Sequence, residues 1–290
     1  MTFVRRPRGL SYGQYPQLGL DGGVDGVELG DVPGPPGRPA AAGDKLVRVM
    51  PLRFVLLQAR RADDPMLERE RRSFAEHLDV EAERIVPLNL LDGPVGPADL
   101  DRGDALLVGG SGEYYVSKDH LPHAEEVFDL LREVTERGYP TFASCFGYQL
   151  LVRALGGAVA HDPASTEVGT VELRLTAEGR GDPLLGQMPQ RFAGQLGRKD
   201  RAVTLPPGVP NLVASERNPH QALRIPGKPV WATQFHPELT GEENRARFER
   251  YLDAYAEHMS AEERELALAG FRPSRESNTL LRRFVELVFG

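Results

Sequence analysis

The chain has 290 residues, of which 40% are hydrophobic and 27% are charged, a composition typical of globular proteins. Its net charge of −7 argues against a nucleic-acid-binding surface, which requires concentrated basic side chains. The single cysteine excludes an internal disulfide, and no apolar run approaches the roughly 20 residues that span a bilayer. No credible secretory signal follows the arginine pair near the N-terminus. We therefore expect a cytoplasmic protein that binds neither nucleic acid nor membrane.

Three segments of the chain differ in composition and in hydrophobic periodicity. Residues 1–49 are dense in Gly and Pro and lack any period of 2 or 3.6, which predicts a flexible arm. Residues 50–258 show the alternating patterns of one folded domain, and 259–290 are predicted to form a helical extension at its C-terminal end.

The first part of the domain alternates strands and helices. Apolar runs predict strands at 52–59, 84–90, 104–110 and 140–144, and helical spacing predicts helices at 65–78, 123–138 and 146–157. Alternation of this kind indicates βαβ units, so we predict an α/β fold in which helices cover both faces of a mostly parallel central sheet. Such a three-layer sandwich is of the flavodoxin-like or Rossmann-like kind.

The second part is richer in strands. Short strands are predicted at 168–177, 211–216, 221–226 and 229–235, between turns rich in Pro and Gly. Three helical segments follow at 241–258, 260–269 and 275–288. Ser260 and Glu263 have the spacing of a capping box at the start of the middle one.

The only cysteine lies where a predicted strand passes into a helix, in the stretch TFASCFGYQ (141–149). A tight turn there would lift the Cys145 side chain clear of the sheet, and the helix N-terminus would favour its thiolate. Gly147 would allow close approach of a neighbouring backbone or a substrate. By itself, however, the stretch fits an inert buried cysteine equally well.

Two further stretches could supply the remaining parts of a nucleophilic site. In TQFHPEL (233–239) the chain is extended, so His236 and Glu238 can point to the same side and form a carboxylate–imidazole pair. In LLVGGSGEYY (106–115) a strand ends in a Gly-rich loop whose N–H groups could stabilise an oxyanion. Taken singly, a solvated His–Glu pair and a plain turn explain these stretches.

Together, in this order, the three stretches resemble the class I (triad-type) glutamine amidotransferase family, with a GMP-synthase-like texture. GGSG is similar to its oxyanion strand, CFGYQLL to its Cys-x-Gly-x-Gln nucleophile signature, EVG (167–169) to its Glu-x-Gly turn, and QFHPE to its His-x-Glu motif. The resemblance extends over about residues 52–255.

The resemblance implies hydrolysis of a γ-glutamyl amide, usually that of glutamine, to glutamate and ammonia. Cys145 would be the nucleophile, His236 its proton acceptor, and Glu238 the carboxylate that orients His236. By position, the N–H groups of Gly110 and Phe146 would meet the oxyanion, and Gln149 would help to hold the substrate. No metal or organic cofactor is implied. Tyr114 and Tyr115 follow the Gly loop and would either line the substrate pocket or only pack against neighbouring side chains.

One position departs from the family pattern. Arg198 stands where many members have a His, which calls substrate affinity or partner coupling into question. His120 and His123 have a spacing that could serve a metal, but Pro122 lies between them and no third ligand is near, so we predict no metal site.

Several functions remain open at this stage. A stand-alone glutaminase is preferred, with a γ-glutamyl peptidase or an ammonia-donating subunit of a separate synthetase as alternatives, and a catalytically silent binding module as the least favoured. We also expect activity to fall in acid as His236 is protonated, with the thiolate setting a second limit. The oligomeric state is left open.

Overall fold

A nine-stranded sheet forms the centre of the structure, a computed structural model that describes residues 51–118, 120–252 and 259–290. The predicted N-terminal arm lies outside the described residues. The strands are β1 (Phe54–Ala59), β2 (Ile85–Asn89), β3 (Ala105–Ser111), β4 (Thr141–Ser144), β5 (Ala158–His161), β6 (Glu167–Leu175), β7 (Arg191–Arg198), β8 (Asp200–Thr204), β9 (Asn211–Ala214), β10 (Ala222–Arg224) and β11 (Val230–Thr233). The helices are α1 (Met66–Leu78), α2 (Ala124–Arg137), α3 (Phe146–Ala154), α4 (Ala177–Arg180), α5 (Gly241–Arg250), α6 (Ala261–Gly270) and α7 (Leu280–Phe289).

The order of the strands in the sheet is β2-β1-β3-β4-β11-β10-β9-β6-β7. The first five are parallel to one another, and the strands beyond β11 pair antiparallel. Most strands of the β-rich second part of the sequence therefore extend the same sheet. β5 and β8 pair separately as a two-stranded ribbon.

Helices cover both faces of the sheet, as the α/β prediction requires. Successive residues of β1 point to opposite sides because side chains alternate along a strand. Phe54 and Leu56 pack with α1 and α7, whereas Val55 and Leu57 pack with α2 and α3. The predicted three-layer α/β class is confirmed.

The last helix completes one of these layers. Leu280, Leu281, Phe284 and Val285 of α7 are buried, and Phe284 makes edge-on ring contacts with Phe142 of β4 and Trp231 of β11. Burial of such side chains contributes about 1.5–3 kcal/mol each, so α7 is a structural part of the core. The proposed boundary between 258 and 259 stays a prediction.

Local signals agree with several element ends. Gly138 ends α2 in the left-handed conformation at φ 63°, and Ser260 and Glu263 form the predicted capping box at α6. The sequence patterns missed β5, β7 and β8, and they placed the C-terminal end of α3 three residues too late. The end predicted at 258 for the helix that starts at 241 falls among residues outside the description.

Candidate active site

The turn between β4 and α3 holds Cys145 in a conformation that few residues adopt. Its φ of 50° and ψ of −99° lie outside the regions open to L-residues without strain. Two backbone bonds hold it there: Cys145 N–H donates to Thr233 O at 2.8 Å, and Gln149 N–H donates to Cys145 O at 3.1 Å. The strand-to-helix elbow predicted from the sequence is thus present, with the thiol at the start of α3.

Gly147 allows α3 to lie directly on β3. A Cβ at this position would be 2.5 Å from the carbonyl oxygen of Val108 and 2.7 Å from its Cβ, closer than atoms can approach. The close approach is to the sheet backbone, so the glycine serves packing at the elbow.

We expect Gly147→Ala to lower the free energy of unfolding by about 1–3 kcal/mol, because the added methyl group overpacks the helix–sheet contact. The same change at Gly96, where a Cβ would meet nothing within 4 Å, is the matched control. Urea unfolding of both variants measures the difference. Equal stability of the two variants would contradict the packing role.

His236 and Glu238 converge on Cys145 from the segment after β11. The Nδ1–H of His236 donates to Glu238 Oε1 at 2.6 Å, and Ser144 Oγ donates to the same oxygen at 3.1 Å. The backbone N–H of His236 donates to Gln195 O at 2.9 Å, which ties the segment to β7. Because Glu238 engages Nδ1, Nε2 is the nitrogen left for the thiol of Cys145, which hydrogen-bonds the imidazole.

The charges of this trio are mutually dependent. Burial would raise the pKa of Cys145, but attraction to His236 and a hydrogen bond with it hold the pKa below its ordinary value. Burial would lower the pKa of His236, but Glu238 and Cys145 raise it to about 9. At neutral pH this favours a thiolate–imidazolium pair, the reactive form of a cysteine nucleophile.

These pKa shifts change the expected origin of the acid limb of the pH profile. We expect kcat/KM to fall in acid as the Cys145 thiolate is protonated, and to fall again near pH 9 as His236 loses the proton that a leaving amine requires. Rates of Cys145 alkylation by iodoacetamide across the same buffers report the thiolate alone, because the chain has no other cysteine. A profile that still rises beyond pH 9 would contradict the assignment.

The sequence did not indicate Arg247, which also lies against His236. Its Nη1 is 3.0 Å from Nε2 and 3.4 Å from Nδ1. The two ring lone pairs point away from each other, and a position in the ring plane this close to both nitrogens would collide with a ring carbon. Nη1 therefore lies over the imidazole face with an N–H directed at the ring, and it leaves the in-plane side of Nε2 to the thiol.

A buried ion pair between Arg60 and Glu70 lies near this arginine and reaches the Gly-rich loop at the end of β3. Glu70 of α1 accepts hydrogen bonds from Arg60 Nε and Nη2, both at 3.0 Å, and from Gln58 Nε2 at 2.8 Å. Burial would raise the pKa of Glu70, but Arg60, Arg247 and Gln58 lower it to about 2, so the side chain is a carboxylate. Its Oε1 also accepts the N–H of Gly110 at 2.8 Å.

The two residues proposed for the oxyanion thus differ in their surroundings. Phe146 begins α3, where a helix leaves its first N–H groups without intrahelical partners. Gly110 lies beside the site in β3, but its N–H donates to Glu70. Gln149 lies one turn into α3, and its Nε2 donates to Asp200 O at 3.0 Å and to Gln234 Oε1 at 3.1 Å.

The cavity at Cys145 has a volume of about 60 Å³. Ligand pockets usually enclose about 300–1,000 Å³, so this space admits the reacting end of a substrate and little more unless rim side chains move. Tyr114 and Tyr115 line it, as do Phe146, Gln149, Arg198 and Arg247.

Arg198 reaches this cavity with its charge already paired. Its Nη2 bonds to Glu167 Oε2, and its Nη1 donates to Asp200 O at 3.2 Å. Glu167 also accepts from three neutral donors: Ser215, Asn218 and Gln221. The residue that departs from the family pattern is therefore a structural member of a buried cluster.

The described residues, 51–118, 120–252 and 259–290, contain no group of three or more His, Cys, Asp or Glu placed to hold a metal ion. Within the same ranges, no helix combines the length and the apolar character that a membrane crossing requires.

The fold and site define an α/β protein with a buried cysteine elbow and a His–Glu pair. Residues 95–252, more than half of the chain, match the model of the family described as glutamine amidotransferase class-I. The chain belongs to this family.

Its curated relatives include GMP synthases. The enzyme of Aquifex aeolicus is 29% identical over 147 residues, or 49% of this chain and 26% of the relative, and that of Aeropyrum pernix is 33% identical over 156 residues, or 53% and 28%. The chain thus covers about a quarter of the length of these proteins. A glutamine amidotransferase structure from Thermotoga maritima aligns with a TM-score of 0.64 at 20% identity, covering 81% of this chain and 97% of that one, which supports the shared fold.

Proposed function

We propose that this protein hydrolyses the γ-amide of glutamine, or of a related γ-glutamyl compound, through Cys145, His236 and Glu238. The observation that carries the proposal is the convergence of these three side chains at the β4–α3 elbow, in a family whose name denotes glutamine-dependent amide transfer.

The first half of the reaction forms a thioester. The Cys145 thiolate attacks the γ-carbonyl carbon, and the carbonyl oxygen becomes an oxyanion beside the N–H of Phe146 and the Gly110 loop. As the tetrahedral intermediate collapses, the carbon–nitrogen bond breaks and His236 gives its Nε2 proton to the departing nitrogen, which leaves as ammonia. Glu238 holds the imidazole in the required orientation and balances its charge. Gln149 helps to hold the glutamyl group.

The second half returns the enzyme to its starting state. His236, now neutral, takes a proton from a water molecule, and the resulting hydroxide attacks the thioester carbonyl. The carbon–sulfur bond breaks, the thiolate of Cys145 leaves, and glutamate is released. The ionic state of the Cys145–His236 pair is then restored, and neither half requires a metal or a redox group.

A second candidate is donation of the ammonia to a separate synthetase. The curated relatives favour it, because GMP synthases are named as glutamine-hydrolysing and the chain covers about a quarter of their length. The chemistry at Cys145 would be the same, and only the fate of the ammonia would differ.

The test is release of glutamate from glutamine and from γ-glutamyl peptides by the purified full chain, with Cys145→Ser as the control that removes the nucleophile. Release from glutamine supports the proposal, and release from peptides alone would assign a γ-glutamyl peptidase. Labelling of Cys145 by a glutamine-like chloroketone without turnover would indicate a subunit that is active only together with a partner synthetase. The absence of both turnover and labelling would overturn the proposal and would favour a binding module.

A further inference from the structure

The N–H of Gly110 is poorly suited to an oxyanion in this structure. It donates at 2.8 Å to Oε1 of Glu70, whose carboxylate is ionised and buried and accepts hydrogen bonds from Nε and Nη2 of Arg60. An oxyanion placed at this N–H would meet a second negative charge at close range in a medium that screens little. The site therefore needs a different positive partner on this side of the substrate.

Arg247 occupies the corresponding place. A Cβ on Gly110 would lie 2.8 Å from Arg247 Nη2, so the guanidinium lies directly against this glycine. Arg247 lines the same cavity as Cys145 and Phe146, and its charge helps to lower the pKa of the thiol. The cation therefore faces the volume in which the tetrahedral carbon must form.

The guanidinium has donors to spare for this purpose. It carries five N–H groups, and the carbonyl oxygen of Ser111 accepts one from Nη2 at 3.2 Å. Nη1 also directs an N–H at the imidazole of His236, and the attraction to Glu70 restricts the orientation of the group, so the second N–H of Nη2 is the donor available on the side of Gly110. A preorganised cation of this kind stabilises negative charge that develops in the transition state.

We propose that the oxyanion of this enzyme is bound by the N–H of Phe146 and by the guanidinium of Arg247, while Glu70 retains the N–H of Gly110 throughout the reaction. Arg247 is thus a catalytic residue contributed by α5, nine positions after Glu238. The inference rests on the proposed function, since it concerns the same acyl transfer.

The test compares Arg247→Met with Arg245→Met, a matched change on the same helix at an exposed residue paired with Glu249. We expect Arg247→Met to lower kcat about 100-fold or more, as loss of one oxyanion donor does, with a smaller effect on KM. Alkylation of Cys145 by iodoacetamide, which forms no oxyanion, should slow much less at alkaline pH, whereas labelling by the glutamine-like chloroketone should slow with kcat. Arg245→Met should match the wild type.

Two outcomes would overturn the inference: kcat of Arg247→Met within threefold of the wild type, or faster turnover by Glu70→Gln, which would show that Gly110 supplies the donor once the carboxylate is gone. If Arg247→Met does not fold, Arg247→Gln keeps a polar side chain without the charge, and unchanged kcat in that variant would also contradict the inference. The ratio of chloroketone to iodoacetamide labelling is measurable without turnover. An inactive wild-type chain would therefore count against the proposed function, and the labelling ratio would still decide the role of Arg247.

Discussion

Replacing Glu238 with Gln should lower kcat for amide hydrolysis on the order of 10⁴-fold, the loss that follows when the carboxylate of a catalytic triad becomes an amide. Glu238 is 1% exposed, and its Oε1 accepts from both His236 Nδ1 and Ser144 Oγ. A glutamine in this position removes the charge that raises the pKa of His236, and it can present an N–H to Nδ1, which selects the wrong tautomer.

Steady-state kinetics with glutamine measures the loss, and thermal unfolding confirms that the variant is folded. Glu242→Gln, the same chemical change at an exposed position of α5, is the control and should be nearly silent. The alkaline limit of kcat/KM should also move to lower pH in Glu238→Gln, because His236 loses the attraction that keeps it protonated. A loss below tenfold would remove Glu238 from the proposed triad.

Replacing Arg198 with Met should lower the free energy of unfolding by about 3–5 kcal/mol, the usual cost of removing one partner from a buried ion pair. The side chains of Arg198 and Glu167 are 1% and 3% exposed, so the remaining carboxylate cannot be solvated. The hydrogen bonds from Ser215, Asn218 and Gln221 soften the loss without supplying a charge. The effect should therefore lie at the lower end of that range.

Urea unfolding of Arg198→Met and of Arg191→Met measures the difference. Arg191 lies on the same strand and pairs with Glu172, but the two side chains are 64% and 61% exposed, so that change should cost less than about 1 kcal/mol. Adding Glu167→Gln to Arg198→Met should recover part of the stability, because the uncompensated charge is then gone. Equal costs for the two single variants would refute the buried-pair account and would return Arg198 to substrate binding.

The elbow and the His–Glu pair were predictable because each is encoded locally. Cys145 stands between a strand and a helix, and His236 and Glu238 are only two positions apart. The extended conformation predicted for 233–239 was wrong beyond Thr233: the chain bends after β11, and the pair meets in a turn in which the N–H of Leu239 donates to His236 O. Period and spacing report such short-range geometry well. The catalytic roles of Cys145, His236 and Glu238 stay predictions.

The sequence patterns missed β7 because its strand signal is weak. The sequence of β7, RFAGQLGR, contains two glycines and three polar residues, so its alternation is weak. It forms because β6 offers eight paired residues along its length and because Gly194 fits against Phe235. Cross-strand partners of this kind, far apart in the chain, override a low intrinsic strand propensity.

Nothing in the local pattern indicated the roles of Arg60, Glu70 and Arg247. In the sequence, Glu70 and Arg247 read as polar positions of amphipathic helices, which usually face solvent. They are buried because α1 and α5 bring them together at the end of β3, where each finds an opposite charge or a backbone donor. Charge is tolerated inside a protein only when such partners are present, and their presence depends on the packing of the whole domain.

Chain order and short motifs were thus enough to indicate the layered α/β fold, the family and the residues that converge on the thiol. Contacts between distant segments decided that the N–H of Gly110 donates to a carboxylate, that Arg247 lies over the imidazole, and that Arg198 is buried. The reason is physical: backbone periodicity acts over a few residues, whereas the ionisation and placement of a buried side chain depend on whatever the rest of the chain packs around it.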